Sequence, residues 1–163
     1  MVEAIALLTF VTLQRLAELA WSRRNESRLR ARGAVEAGRG HYPVMVGLHT
    51  AWLAALWVFG WDRPVALGWT AAFFALQAAR LWVLASLGER WTTRVIVPPA
   101  EPLVRRGPYR FVSHPNYLVV ALEIPCLPMA LGLPWLALGF GLANLAMLAW
   151  RIKVEAAALA VMR

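Results

Sequence analysis

The chain of 163 residues is 60% hydrophobic and only 16% charged, with a mean hydropathy of +0.55, whereas soluble domains average ~45–50% apolar and ~25% charged residues. A single cysteine, Cys126, excludes an internal disulfide framework, a cysteine-based zinc site and a CxxC redox pair, and three widely spaced histidines leave no metal site to expect. The formal charge of +8 would suit nucleic acid if the arginines covered one soluble face; they fall in short loops between apolar runs, so no nucleic-acid partner is expected.

The length suits one domain over residues 1–163. A membrane helix needs ~20 largely apolar residues to cross ~30 Å of hydrocarbon. Five runs approach this, at about 2–21, 43–60, 64–87, 115–131 and 134–150, so the expected fold is all-α with five transmembrane helices. Pro43, Pro64, Pro115 and Pro134 each open a run, where a missing N–H costs nothing. The fourth run carries Pro125 and Pro128 and meets the fifth at Leu131-Gly132-Leu133-Pro134, which predicts a short helical hairpin. A cytoplasmic helix is expected after Trp150.

Charge fixes the expected orientation. Fourteen of the seventeen Lys and Arg lie after the first, third and fifth runs, while the intervening loops hold only Arg63. By the positive-inside rule these two long loops and the C-terminal tail face the cytoplasm. Trp21, Trp61, Trp91, Trp135 and Trp150 fall at run ends, as an aromatic belt would. Glu3 stands near the start and the positive charges follow the first apolar run, which argues for a retained helix over a cleaved signal peptide. The expected location is the bacterial inner membrane, with the lipid bilayer as a partner.

Ionisable groups inside spans are costly and draw attention to function. Arg15 and Glu18 sit three apart and can pair on one face, and Arg80 is close enough to a span end to snorkel. Glu123 shares a helical face with Asn116 and continues a polar stripe inward. The segment 103–117 mixes Arg, Gly, Pro, Tyr and His, and places His114 at the mouth of a helix opened by Pro115, a natural anion site. After Trp150, Arg151 and Glu155 are four apart on one face, a spacing that ordinary surface pairs also use.

Together, Arg106-Gly-Pro-Tyr-Arg-Phe-Val-Ser-His-Pro-Asn-Tyr117, the proline-containing hairpin and Arg151-Ile-Lys-Val-Glu155 resemble the isoprenylcysteine carboxyl methyltransferase family of membrane enzymes. Ser113 stands where that family usually has Arg, and Ala156 where it has a second acidic residue. Arg15-x-x-Glu18, Arg24-Asn-Glu26, Gly33-Ala-Val-Glu36-x-Gly38, His41-Tyr-Pro43 and His49 resemble a bacterial branch associated with type III polyketide synthases, whose members methylate hydroxyls of alkylpyrones or alkylresorcinols.

The resemblance implies S-adenosylmethionine as cofactor, with Tyr109, His114, Pro115, Asn116 and Tyr117 matching the cofactor motif. No glycine-rich dinucleotide fingerprint follows a strand, which excludes a soluble Rossmann-type site. A lipophilic acceptor would enter from the bilayer, with Arg151 orienting its oxygen and Glu155 or Glu123 taking its proton. Methylation of a prenylcysteine carboxylate or a phospholipid is the alternative within the family. Outside it stand a nicotinamide-dependent reductase and a small transport or scaffold protein. Transport would require polar groups along the midplane rather than at span ends.

Overall fold

A computed structural model describes residues 1–97 and 104–161. Leu103 of the segment singled out above, and the basic terminus Arg163, lie outside the described residues. Five helices follow one another: α1 (Val2–Ala31), α2 (His41–Gly60), α3 (Leu67–Leu87), α4 (Pro115–Ala130) and α5 (Pro134–Val161). Short 3-10 turns occupy Gly88–Arg90 and Gly107–Arg110, and two strands, β1 (Val35–Ala37) and β2 (Val95–Val97), complete the described elements.

Among the described residues, four helices, α1, α2, α3 and α5, are long and apolar enough to cross a membrane. The fourth expected span differs: α4 has 16 residues and so is ~24 Å long, short of the ~30 Å of hydrocarbon. Its prolines explain part of its packing. Pro128 has no N–H to offer the carbonyl of Ile124, and the indole of buried Trp52 donates to that oxygen at 3.1 Å. The turn from α4 into α5 closes on Gly132, whose φ of +66° suits glycine, with Leu133 N–H donating to Pro128 O at 2.9 Å.

Two further expectations need correction. No separate helix follows Trp150; α5 runs unbroken from Pro134 to Val161, because neither Gly nor Pro interrupts the run after Gly141. The first helix likewise extends to Ala31, ten residues past its apolar stretch, so about half of the expected basic loop is a helical extension.

The core is drawn from all five helices. Leu7, Leu8 and Val11 of α1 meet Trp52 and Leu56 of α2, Phe73 of α3, Leu127 of α4 and Leu136 of α5. Leu13, Val58, Leu81 and Leu138 point outwards, the arrangement lipid rather than water rewards. Trp61 and Trp135 are exposed at helix ends and Trp21 and Trp150 are exposed within α1 and α5, whereas Trp91 is only 3% exposed and packs with Val83, Leu84 and Val119. Trp91 therefore belongs to the interior and not to the aromatic belt.

Between α1, α3 and α4 lies a buried polar layer. Arg80 donates to Glu18 through Nε and Nη2, both at 2.6 Å, and to Glu123 through Nη1 at 3.1 Å. Arg15 reaches Glu123 at 2.5 Å and Glu18 at 3.1 Å, and Gln77 donates to Glu123 at 2.7 Å. Two guanidinium groups and two carboxylates thus cancel, which is how ionised groups persist away from water. Arg80 does not snorkel: its side chain is 7% exposed, because paired carboxylates are nearer than the headgroup region.

Candidate active site

The connections at one end of the bundle are sewn together into a wall. Thr93 N–H donates to Ser22 Oγ at 2.8 Å, and Asn25 Nδ2 donates to the carbonyls of Gly88 (3.1 Å) and Trp91 (2.8 Å), so the chain after α3 is strapped to the end of α1. β1 pairs antiparallel with β2 in the register Val35–Val97, Glu36–Ile96, Ala37–Val95. Gly38 (φ +59°) lets the following loop lie against α5, since a Cβ there would overlap the side chain of Val154. His41, 2% exposed, bonds through Nδ1 to Gly38 O and meets Trp150 edge-on at 6.3 Å, anchoring the start of α2 to the same helix.

Behind this wall lies a cavity of about 750 Å³, within the ~300–1,000 Å³ usual for small-molecule sites. β2 contributes Val95, Ile96 and Val97. The turn before α4 contributes Tyr109 and His114, α4 gives Asn116 and Tyr117, and α5 gives Arg151 and Glu155. The structure thus gathers two stretches that the sequence had singled out, the 103–117 segment and the pair Arg151 and Glu155, against a third that it had not. Pro115 is buried, sets the first turn of α4 and is not part of the cavity lining. Glu123 lies two turns further along α4, in the polar layer with Arg15 and Arg80, and is not part of the lining.

The chemistry of the cavity centres on Tyr117. Its ring stacks on His114 with centroids 5.2 Å apart and planes 10° from parallel. Its hydroxyl accepts from Arg151 Nε at 3.0 Å and donates to Glu155 Oε2 at 2.5 Å. Arg151, 7% exposed, also donates from Nη1 to Thr93 O at 2.5 Å and touches Met45 Sδ at 3.0 Å. His114 Nδ1 is 3.9 Å from Glu155 Oε2. Among the described residues, Arg151 Nη2 and Glu155 Oε1 make no hydrogen bond, so each keeps capacity for a ligand.

Among the described residues, Arg90, Arg94, Arg105, Arg110 and Arg151 line the cavity together with the carboxylate of Glu155, and Arg94 is itself paired with Glu36. Burial first, and then the charge of Glu155, push the Tyr109 phenol above its ordinary value, so Tyr109 stays a neutral donor at working pH. Asn116 Oδ1 is buried and has no hydrogen-bond partner among the described residues. A buried acceptor without a donor costs free energy unless a ligand supplies one.

These features fit S-adenosylmethionine. Arginines suit its carboxylate, the Asn116 acceptor suits an amino group, and stacked His114 and Tyr117 offer a face for adenine. The sequence had not marked Trp91 or the β2 wall as parts of the site. Val95-Ile-Val97 is β-branched, yet three residues are too few for a strand signal without a partner.

The wall is held by ions. Glu36 accepts from Arg30 and from Arg94, each at 2.5 Å, and the Arg94 guanidinium lies 3.9 Å from the centroid of the Tyr42 ring. Burial alone would raise the Glu36 carboxyl, but Arg94 and Arg30 outweigh it and hold the group below its ordinary value of 4.5. A depressed carboxylate stabilises the fold fully above its unfolded value and loses that contribution as pH falls through the lower folded one. Hydrogen-exchange protection of β1 and β2 should therefore weaken on acidification below about 4.5. Glu36→Gln should show the weakened wall already at neutral pH, and equal protection in parent and variant would show that these ions do not hold it.

A model of the isoprenylcysteine carboxyl methyltransferase (ICMT) family matches residues 69–161, more than half of the chain. An uncharacterized protein of Bacillus subtilis (strain 168), YpbQ, is 35% identical over 158 residues, covering 94% of each chain. An uncharacterized protein of Haemophilus influenzae is 27% identical over 111 residues, covering 64% of each chain. No solved structure matches significantly. The family match takes in most of α3 and every cavity residue named above, while α1, α2 and β1 lie before it.

Proposed function

The chain belongs to the isoprenylcysteine carboxyl methyltransferase family, a family of S-adenosylmethionine-dependent membrane methyltransferases, and from that premise we propose that it methylates an oxygen of a lipophilic acceptor, a hydroxyl of a polyketide-derived lipid of the alkylpyrone or alkylresorcinol class. The observation that carries this reading is the Arg151–Tyr117–Glu155 chain on the cavity wall, with an unused guanidinium N–H at one end and an unused carboxylate oxygen at the other. A hydroxyl between them can accept from Arg151 and donate to Glu155. When bound, the cofactor supplies an electrophilic methyl group, whose bonding pair returns to sulfur as a neutral thioether.

Asn116, His114, the Tyr109 phenol and the loop arginines hold the cofactor in this reading. Arg151 draws electron density on the acceptor oxygen towards itself and orients a lone pair. Glu155 receives the proton that the oxygen loses as its new bond to carbon forms. The helices packed around the cavity exclude water, which would otherwise solvate the acceptor oxygen and blunt its attack. Orientation follows from charge: the cavity end carries nearly all the arginines, so it faces the cytoplasm, where a type III polyketide synthase would release such an acceptor.

Carboxyl methylation of a prenylcysteine-like acceptor is the second reading. It is favoured by the carboxyl methylation for which the family is named and by Arg151 on the cavity wall, whose Nη2 suits an anionic acceptor. Membranes containing the protein, given labelled S-adenosylmethionine and separate alkylpyrone, alkylresorcinol and prenylcysteine acceptors, distinguish the two. Label is expected in an extractable hydroxyl lipid and is lost with His114→Ala. Label confined to the prenylcysteine selects the second reading. No transfer to any acceptor, with no cofactor binding, would sink both.

A further inference from the structure

The Tyr117 hydroxyl stands out because one short side chain satisfies both members of the proposed reacting pair. It accepts from Arg151 Nε at 3.0 Å and donates to Glu155 Oε2 at 2.5 Å, while its ring packs on His114. Arg151 and Glu155 lie one turn apart on α5 and could bond to each other directly, as (i, i+4) pairs of opposite charge commonly do. They do not: no Arg151–Glu155 ion pair occurs among the described residues. The phenol is interposed between them, so neither charge is consumed by the other.

From this geometry, and resting on the O-methyltransferase reading above, we infer that Tyr117 is a positioning residue with two separable parts. Its ring serves the cofactor end of the cavity through His114. Its hydroxyl holds Arg151 and Glu155 apart and aims Nη2 and Oε1 at the acceptor oxygen. Three fixed partners define the guanidinium plane: Tyr117 OH, Thr93 O and Met45 Sδ. Glu155 has no such set. Tyr117 gives its only hydrogen bond among the described residues, and His114 approaches no closer than 3.9 Å. Without the phenol, Glu155 is free to swing onto Arg151 and form the direct pair, which would remove the proton acceptor and the orienting cation together.

In the step concerned, the acceptor O–H bond breaks and its proton passes to Glu155. An oxygen electron pair forms the new bond to the methyl carbon, and the carbon–sulfur pair goes to sulfur. Tyr117 neither gains nor loses a proton overall. Its contribution therefore depends on how much help the acceptor needs in shedding its proton, and an acidic acceptor needs little.

Tyr117→Phe tests this, since it keeps the ring and deletes only the hydroxyl. Parent and variant are assayed in membranes with a series of hydroxyl acceptors of graded acidity, with cofactor Kd read from tryptophan fluorescence. In the variant kcat should fall about 10- to 100-fold for the least acidic acceptor, the loss expected when a hydrogen bond to a charged group is removed. The deficit should shrink steadily as acceptor acidity rises, with cofactor Kd little changed. An equal deficit across the series, or no deficit, would overturn the inference while the parent's activity upholds the methyltransferase reading. A Kd that weakens in step with kcat would assign the hydroxyl to the cofactor and also overturn it. If the parent transfers methyl to no hydroxyl acceptor, the reading fails and the inference falls with it.

Discussion

Arg151→Ala should lower the maximal rate of methyl transfer by about 10²–10³-fold, the cost of deleting one preorganised donor from a site of developing charge, while cofactor affinity changes little. The expectation follows from what the side chain touches. Nε and Nη1 bond to Tyr117 and Thr93, and the remaining Nη2 is the group available to the acceptor. Truncation also strands Thr93 O and frees Glu155 from its arrangement, so repositioning adds to the lost charge. Arg151→Lys should fall nearly as far. A single ammonium on a flexible stem cannot serve Tyr117, Thr93 and an acceptor in one plane, as the guanidinium fork does. Steady-state kinetics beside a cofactor titration decide the matter: equal loss of binding and rate would move Arg151 from the acceptor to the cofactor.

How much of this was legible in the sequence depends on the range of the interaction concerned. Apolar run length and opening prolines are local, and they located α2, α3, α4 and α5 to within a few residues of their starts. The charge asymmetry marked which ends gather, and the cavity lies there. Helix continuity was less visible, because hydropathy falls where a helix leaves lipid although its hydrogen bonds continue. Hence α1 passes Trp21 and α5 passes Trp150 without a break. Pairing across the chain was not visible. The β1–β2 register and the turn of Arg80 inward to Glu18 depend on partners roughly sixty residues away, and Trp91 is buried only because the turn after α3 brings it against Val83, Leu84 and Val119. Tyr109, His114, Asn116, Tyr117, Arg151 and Glu155 could be nominated from motif resemblance, yet spacing alone could not set the phenol between Arg151 and Glu155.

Glu123→Ala should be the most destabilising single change in the chain. It removes a fully buried carboxylate on which Arg15, Arg80 and Gln77 all depend, leaving an uncompensated cation among apolar helices. Breaking one side of such a pair costs about 3–5 kcal/mol, enough to lower the unfolding temperature in detergent markedly or to prevent accumulation. Charge balance then predicts a rescue. Arg80→Leu combined with Glu123→Leu removes one guanidinium and one carboxylate, and leaves Arg15 and Glu18 paired at 3.1 Å. Replacing a buried pair with apolar groups is often neutral or better, so the double variant should recover most of the lost stability. Methyl transfer should return with it, because neither residue lines the cavity. The two measurements separate scaffold from chemistry: a double variant as stable as the parent but unable to transfer methyl would place Glu123 in the reaction, in contact with an acceptor that reaches two turns deeper along α4 than the cavity does.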